Sequence, residues 1–174
     1  LGVLKALREH NIHPDIISGV SVGAIVGGFY CDGYQPEEIL ELFKNNKIYK
    51  LIKLKIKKHG LFTISGLEKT MQKNLLTKRI EELKIPLIIT ATNIKDGNIH
   101  YFTEGDLIER ILASSSIPVL LNPVEIDGEL YVDGGVTNNF PVEPLENICN
   151  EIIGVNVNPT GQFDPKSKLG HLAL

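Results

Sequence analysis

The chain has 174 residues, and its 18 Lys and Arg against 21 Asp and Glu give a formal net charge of −3. An apolar content of 43% excludes an intrinsically disordered chain, and two cysteines are too few for a disulfide scaffold. The small negative charge argues against a nucleic-acid-binding protein, which is usually basic. A chain of this length is expected to form one domain with a sizeable core.

The first quarter of the chain alternates helical and strand patterns. Apolar residues at helical spacing predict a helix over 2–10, and the short β-branched run 15–20 predicts a buried strand. Small apolar residues over 22–31 predict a helix packed inside the protein. Pro36, followed by two acids, predicts the start of a further helix that runs to about Asn45.

The middle of the chain predicts a helix and a β-hairpin. Ser65 with Glu68 three residues later is a capping-box pattern, and it predicts a helix over 65–76. The apolar run 86–92 predicts a second buried strand. A Lys-Asp-Gly-Asn turn sequence follows this run and predicts an antiparallel partner strand over 98–102.

The last third of the chain predicts a helix over 105–113, a loop over 114–123 and two short strands on either side of Asp127-Gly128. A turn at Asp133-Gly134-Gly135 and a last buried strand over 151–157 are expected to follow. Buried strands that alternate with helices predict an α/β sandwich with a largely parallel sheet.

Residues 16–31 carry no charge, but sixteen residues fall short of the roughly 20 that a membrane-spanning helix needs. The spacing of Gly23 and Gly27 is therefore interpreted as close helix–sheet packing rather than as a transmembrane contact.

Cys31 and Cys149 are expected to be reduced thiols in the core. The sequence contains no recognisable metal-site motif.

A G-x-S-x-G motif at residues 19–23 makes Ser21 the candidate nucleophile. A serine on a sharp strand-to-helix turn has strained backbone, and side chains two positions before and after it are expected to collide. Gly19 and Gly23 remove those side chains. The helix that follows directs its N-terminus and the Val22 amide at the same place, where they can stabilise an oxyanion.

A serine hydroxyl needs a partner that accepts its proton, and the residues leave two interpretations open. In the first, the partner is Asp133, which ends a short strand and precedes the turn glycines Gly134 and Gly135. In the second, a histidine oriented by an acid is the base, and only His171 follows Asp133 in the chain order of a Ser-Asp-His triad. The position of His171 in a polar tail favours the Ser-Asp pair.

Taken together, the motifs resemble the patatin-like phospholipases, bacterial type. The resemblance covers most of the chain, up to about residue 157, and it rests on six segments in the family's order: Gly2–Leu7, Ser18–Ala24, Thr90–Asn93, Ala113–Pro118, Tyr131–Gly135 and Asn139–Val142.

This resemblance implies a three-layer α/β/α sandwich with a mostly parallel central sheet. It also implies a lipid acyl hydrolase, of phospholipase A or carboxylesterase type, with Ser21 as nucleophile and Asp133 as general base. An acyl-enzyme would form and be hydrolysed without a metal ion or an organic cofactor. The expected substrate is a phospholipid or another acyl-ester lipid, and a nucleic-acid partner is not expected.

The chain departs from the family pattern in three places. Val22 and Val119 stand where the family usually has Gly or Ala. The family's glycine-rich oxyanion loop, which follows its first strand, precedes the helix that begins at Gly2. We therefore expect residues 1–174 to be one catalytic domain that lacks this strand and loop, with a polar tail from about residue 158.

The segment Lys47–Lys58 has six lysines among twelve residues, interleaved with isoleucine and leucine. Such a basic amphipathic stretch suits contact with anionic lipid headgroups, although a solvated lysine face over packed apolar residues fits equally well. A cytoplasmic or peripheral membrane location is expected. A catalytically silent lipid-binding or interaction domain of the same fold is the alternative from another functional class.

Overall fold

In the computed structural model, which describes residues 1–45 and 65–157, a mixed sheet is built around one fully buried strand. This strand pairs in parallel with one neighbour and antiparallel with two others, and a short outer strand pairs antiparallel with one of these. The strands are β1 (Ile17–Val20), the central β2 (Leu87–Asn93), β3 (Ile99–Phe102), β4 (Val124–Ile126) and β5 (Glu129–Asp133).

Backbone hydrogen bonds place β1 and β5 on the same edge of β2. The carbonyl of Pro86 accepts a hydrogen bond from β1, and the N–H of Ile94 donates to β5. Asn93 instead bonds on the other edge, to the turn that leads into β3. Alternate residues of a strand direct their backbone groups to the same edge. The backbone groups of the even-numbered residues of β2 therefore face β1 in the first part of the strand and β5 in its last part.

The register shows where these two strands end. Val20, the last residue of β1, lies opposite Thr90, and Asp133, the last residue of β5, lies opposite Ala91. Because β1 runs parallel to β2 and β5 runs antiparallel, the two strand ends approach each other along one edge. Whatever follows Val20 is thereby brought close to Asp133.

Helix α2, most of whose residues are buried, packs against the sheet and against two other helices. A Cβ on Gly27 would meet Leu87 of the sheet at 2.9 Å, and one on Gly28 would meet Ile111 of a second helix at 2.6 Å. These glycines let α2 lie tightly between the sheet and that helix. The helices are α1 (Gly2–Glu9), α2 (Val22–Asp32), α3 (Pro36–Asn45), α4 (Ser65–Asn74) and α5 (Leu107–Ser114), with 3₁₀ turns at Ile80–Glu82, Gly134–Val136 and Glu143–Leu145.

The α/β sandwich class is confirmed, as are the helix at 22–31 and the hairpins at 86–102 and around Asp127-Gly128. The expectation of a mostly parallel sheet is wrong for the described residues, where only β1 and β2 pair in parallel. Tight turns make the pairs β2–β3 and β4–β5 antiparallel, since a short connection reverses the chain, and β5 also runs antiparallel to β2. The close packing expected of Gly23 and Gly27 holds for Gly27 alone, because a Cβ on Gly23 would meet nothing within 4 Å.

The strand predicted over 151–157 is also absent: these residues are irregular and exposed. Ile153 and Val157 are 58% and 87% exposed, and no strand of the described residues pairs with them. An apolar β-branched run becomes a strand only where another strand offers its free edge. The polar tail predicted from about residue 158 lies outside the described residues.

Two smaller expectations are adjusted. Ser65 is the first residue of α4 rather than its cap, and Glu68 accepts a hydrogen bond from Gln72. Both cysteines are free thiols, but Cys149 is only half-buried. Cys31 is fully buried, and burial raises the pKa of its thiol to about 12.

Within residues 1–45 and 65–157, none of the helices has the length and apolar character needed to cross a bilayer.

Candidate active site

Ser21 lies at the junction of β1 and α2 in a strained backbone conformation. Its φ is 54° and its ψ is −120°, a region that residues with a side chain seldom adopt. Such strain persists only where the surroundings hold it. The G-x-S-x-G motif therefore forms the sharp strand-to-helix turn that the sequence predicts.

The two glycines of the motif differ in what they permit. A Cβ on Gly19 would lie 2.7 Å from the backbone carbonyl of Gly23 and 2.9 Å from the amide of Ala24. A Cβ on Gly23 would meet nothing within 4 Å. The expected collision is therefore correct for Gly19 and wrong for Gly23, because the tight approach is between the Gly19 Cα and the Gly23 backbone.

This asymmetry predicts opposite stability effects for two matched substitutions. Gly19→Ala forces backbone against Cβ and is expected to lower the free energy of unfolding by about 3 kcal/mol or more. Gly23→Ala lies in the first turn of α2 and is expected to be neutral or to stabilise by up to about 1 kcal/mol. Urea unfolding of both variants measures the difference, and equal losses would contradict the geometry.

Asp133 lies at the end of β5 and contacts Ser21 directly. Its Oδ2 accepts a hydrogen bond from Ser21 Oγ at 2.6 Å, and its Oδ1 accepts one from the Gly135 N–H at 2.8 Å. The residue is 6% exposed, and this burial raises the pKa of its carboxyl group, against the opposing effect of the two hydrogen bonds. The net result is a carboxylate that is more basic than an ordinary aspartate.

Close contacts surround both glycines that follow Asp133. A Cβ on Gly134 would lie 2.4 Å from the Thr90 carbonyl oxygen, in the backbone of β2. A Cβ on Gly135 would lie 3.0 Å from Asp133 Oδ1, the atom that the Gly135 N–H binds. A side chain at position 134 would thus displace the turn that holds the carboxylate, and one at position 135 would crowd the carboxylate itself.

Val22 begins α2, whose first N–H groups have no partner within the helix. Its amide follows Ser21 directly and suits an oxyanion donor. Its side chain is 41% exposed. Val119 has a φ of 70° and is 94% exposed. The backbone at Val119 thus has the left-handed conformation that glycine adopts without strain, which is where the resembled family usually has Gly or Ala.

The sequence motifs assigned no role in the site to the serines at the end of α5. There Ser114 Oγ accepts a hydrogen bond from the Ser21 N–H at 2.8 Å, and the Ser116 carbonyl accepts one from the Asp133 N–H at 2.9 Å. The only local signal was three consecutive serines directly after an amphipathic helix.

The histidine alternative finds no support in the described residues. His10, His13 and His100 form no hydrogen bond with Ser21 or Asp133, and His100 packs on Phe102. His171 and the basic segment Lys47–Lys58 lie outside the described residues, so their roles stay predictions. Across the described ranges, no group of three or more His, Cys, Asp or Glu side chains is placed to hold a metal ion.

Comparison with known proteins identifies a family. The family model for patatin-like phospholipases matches residues 1–146. An uncharacterized NTE family protein of Mycobacterium tuberculosis is 30% identical over 161 residues, which are 91% of this chain and 45% of that protein. Lysophospholipase NTE1 of Cryptococcus neoformans is 29% identical over 95% of this chain. A patatin-like phospholipase domain-containing protein of Caenorhabditis elegans is 28% identical over 85% of it.

The chain spans less than half the length of the mycobacterial relative, and 11% and 12% of the fungal and nematode proteins. The family match extends from the first residue to residue 146, and it therefore includes both the Ser21 turn and the Asp133 turn. The chain therefore belongs to the patatin-like phospholipase family.

Proposed function

We propose that this chain is a lipid acyl hydrolase in which Ser21 is the nucleophile and Asp133 the general base. The observation that carries the proposal is the 2.6 Å contact between Ser21 Oγ and Asp133 Oδ2. A hydroxyl at hydrogen-bond distance from a buried carboxylate, on a strained turn beside a helix N-terminus, is the arrangement that an activated serine needs.

In the proposed reaction, the Asp133 carboxylate accepts the Ser21 proton as Oγ attacks the ester carbonyl carbon. The Val22 amide and the N-terminus of α2 stabilise the negative charge that develops on the carbonyl oxygen. The tetrahedral intermediate collapses, the bond to the alcohol oxygen breaks, and Asp133 returns the proton to that oxygen. Ser21 then carries the acyl group as an ester.

The same carboxylate serves the second half of the reaction. It accepts a proton from water as the water oxygen attacks the acyl-enzyme carbonyl carbon, and it returns the proton to Ser21 Oγ as the fatty acid leaves. The burial that raises the Asp133 pKa makes the carboxylate a better proton acceptor in both halves. One acid therefore suffices, and no histidine is needed.

The substrate class is proposed from the relatives. One is named as a lysophospholipase and another as a patatin-like phospholipase domain-containing protein. We infer that this chain acts on a glycerophospholipid ester, with a single-chain lysophospholipid as the first substrate to test.

The test combines active-site labelling with product analysis. A fluorophosphonate probe is expected to label one residue, which peptide mass spectrometry places at Ser21, and lysophosphatidylcholine is expected to release fatty acid. The His171→Ala variant is expected to label and to hydrolyse within twofold of the unchanged chain. A large loss on His171→Ala would favour the Ser-Asp-His triad, and absence of both label and fatty acid would favour the silent interaction domain.

A further inference from the structure

Three consecutive serines, Ser114–Ser116, are buried at the C-terminal end of α5. Ser114 and Ser116 are fully buried, and Ser115 is 9% exposed. Buried hydroxyl groups are unfavourable unless they form hydrogen bonds. The partners of these serines therefore indicate what the segment does.

The segment binds the backbone of Ser21 from both sides of its α-carbon. The Ser21 N–H donates to Ser114 Oγ at 2.8 Å, and Ser115 Oγ donates to the Ser21 carbonyl at 3.4 Å. The third serine contributes its backbone instead, since its carbonyl accepts the Asp133 N–H at 2.9 Å. One short segment thus holds both members of the Ser21–Asp133 pair.

The Ser21 N–H depends on this side chain because the sheet gives it no acceptor. Pairing between β1 and β2 ends at Val20, and the next residue of β2 pairs with Asp133 of β5. The acceptor of the Ser21 N–H is instead a side chain at the end of α5. Ser114 Oγ is the acceptor that this partly buried N–H needs.

We propose that Ser114 is a positioning residue, which holds Ser21 in the strained conformation that keeps its Oγ within 2.6 Å of Asp133 Oδ2. The proposal rests on the proposed function for its effect on catalysis. Ser114 contacts no reacting atom. It acts through the Ser21 backbone, so its removal changes the rate of the chemical step rather than substrate binding.

The kinetic test uses Ser114→Ala, which removes the acceptor, and Ser114→Cys, which replaces it by a weaker acceptor in a side chain of similar size. Both are expected to lower kcat for p-nitrophenyl ester hydrolysis at least tenfold and to leave KM within twofold. The matched control is Thr70→Ala, which removes a buried hydroxyl that donates to the Gly66 carbonyl in α4. Its kcat is expected to stay within twofold.

A second measurement separates this proposal from the proposed function. The hydrogen-exchange rate of the Ser21 amide, followed by NMR in the unchanged chain and in the folded variants, reports the Ser114 hydrogen bond whether or not the chain hydrolyses esters. Exchange is expected to accelerate at least tenfold in Ser114→Ala and to be unchanged in Thr70→Ala. Unchanged exchange at Ser21, or a kcat within twofold in Ser114→Ala or Ser114→Cys, would overturn the positioning role.

Discussion

Alanine in place of Ser21 is expected to lower kcat for ester hydrolysis by roughly 10³–10⁶-fold. The physical reason is that Ser21 Oγ is the hydroxyl that Asp133 Oδ2 contacts, and it lies beside the N-terminus of α2. Alanine loses the nucleophile but keeps the backbone hydrogen bond to Ser114, which involves the Ser21 N–H. Initial rates on p-nitrophenyl butyrate and lysophosphatidylcholine measure the loss.

Ser18→Ala is the matched control, three residues earlier on β1. Its hydroxyl donates to the Pro141 carbonyl at 2.8 Å, so its removal is expected to cost about 1 kcal/mol of stability and to leave the rate within about threefold. Thermal unfolding of both variants shows whether they are equally folded. A Ser21→Ala variant that is folded and keeps a tenth of the rate would sink the nucleophile assignment.

The Ser21 turn could be predicted from the sequence because its determinants are local. A β-branched run, a glycine on either side of the serine and a run of small apolar residues specify strand, turn and helix within the sixteen positions from Ile17 to Asp32. The sequence did not distinguish Gly19 from Gly23, since the motif is symmetric and the close contact is not.

The contact between Ser21 and Asp133 depends on residues far apart in the chain. The acid was a candidate from its Asp-Gly-Gly turn and the family resemblance, but the distance follows from β1 and β5 sharing one edge of β2. Edge sharing is a property of tertiary topology, which apolar periodicity does not report. The role of Ser114 was missed for the same reason, because its Oγ accepts a hydrogen bond from the Ser21 N–H, which is 93 positions earlier in the chain.

The segment 151–157 shows the opposite failure. Its isoleucines and valines have the composition of a buried strand, yet Ile153 and Val155 are 58% and 51% exposed. Strand formation requires a free edge of matching register, and composition alone cannot supply one. The expectation of a mostly parallel sheet rested in part on the same segment, because it was counted as one of the buried strands that alternate with helices.

Asparagine in place of Asp133 is expected to lower kcat by roughly 10²–10⁴-fold, since the neutral amide cannot accept the Ser21 proton. The unchanged chain should show a kcat/KM that rises with pH and levels off above the pKa of Asp133, which burial raises. The midpoint is therefore expected above the ordinary aspartate value of about 4. Asp127→Asn, at an exposed carboxyl on the β4–β5 turn, is the charge-matched control and is expected to keep the rate within twofold.

The Asp133→Asn substitution is also expected to stabilise the fold at neutral pH. A carboxyl group whose pKa is raised on folding binds its proton more tightly in the native state than in the unfolded state. Its contribution to stability is fully present below about pH 4, the ordinary value, and is lost as pH rises through the raised pKa. Above that pKa the native chain must bury a charge, and Asp133→Asn removes this cost. Urea unfolding should therefore show Asp133→Asn more stable than the unchanged chain at pH 7, with the difference shrinking toward pH 4. A variant that is both inactive and less stable at pH 7 would mean that the hydrogen bonds to Ser21 and Gly135 outweigh the cost of burial.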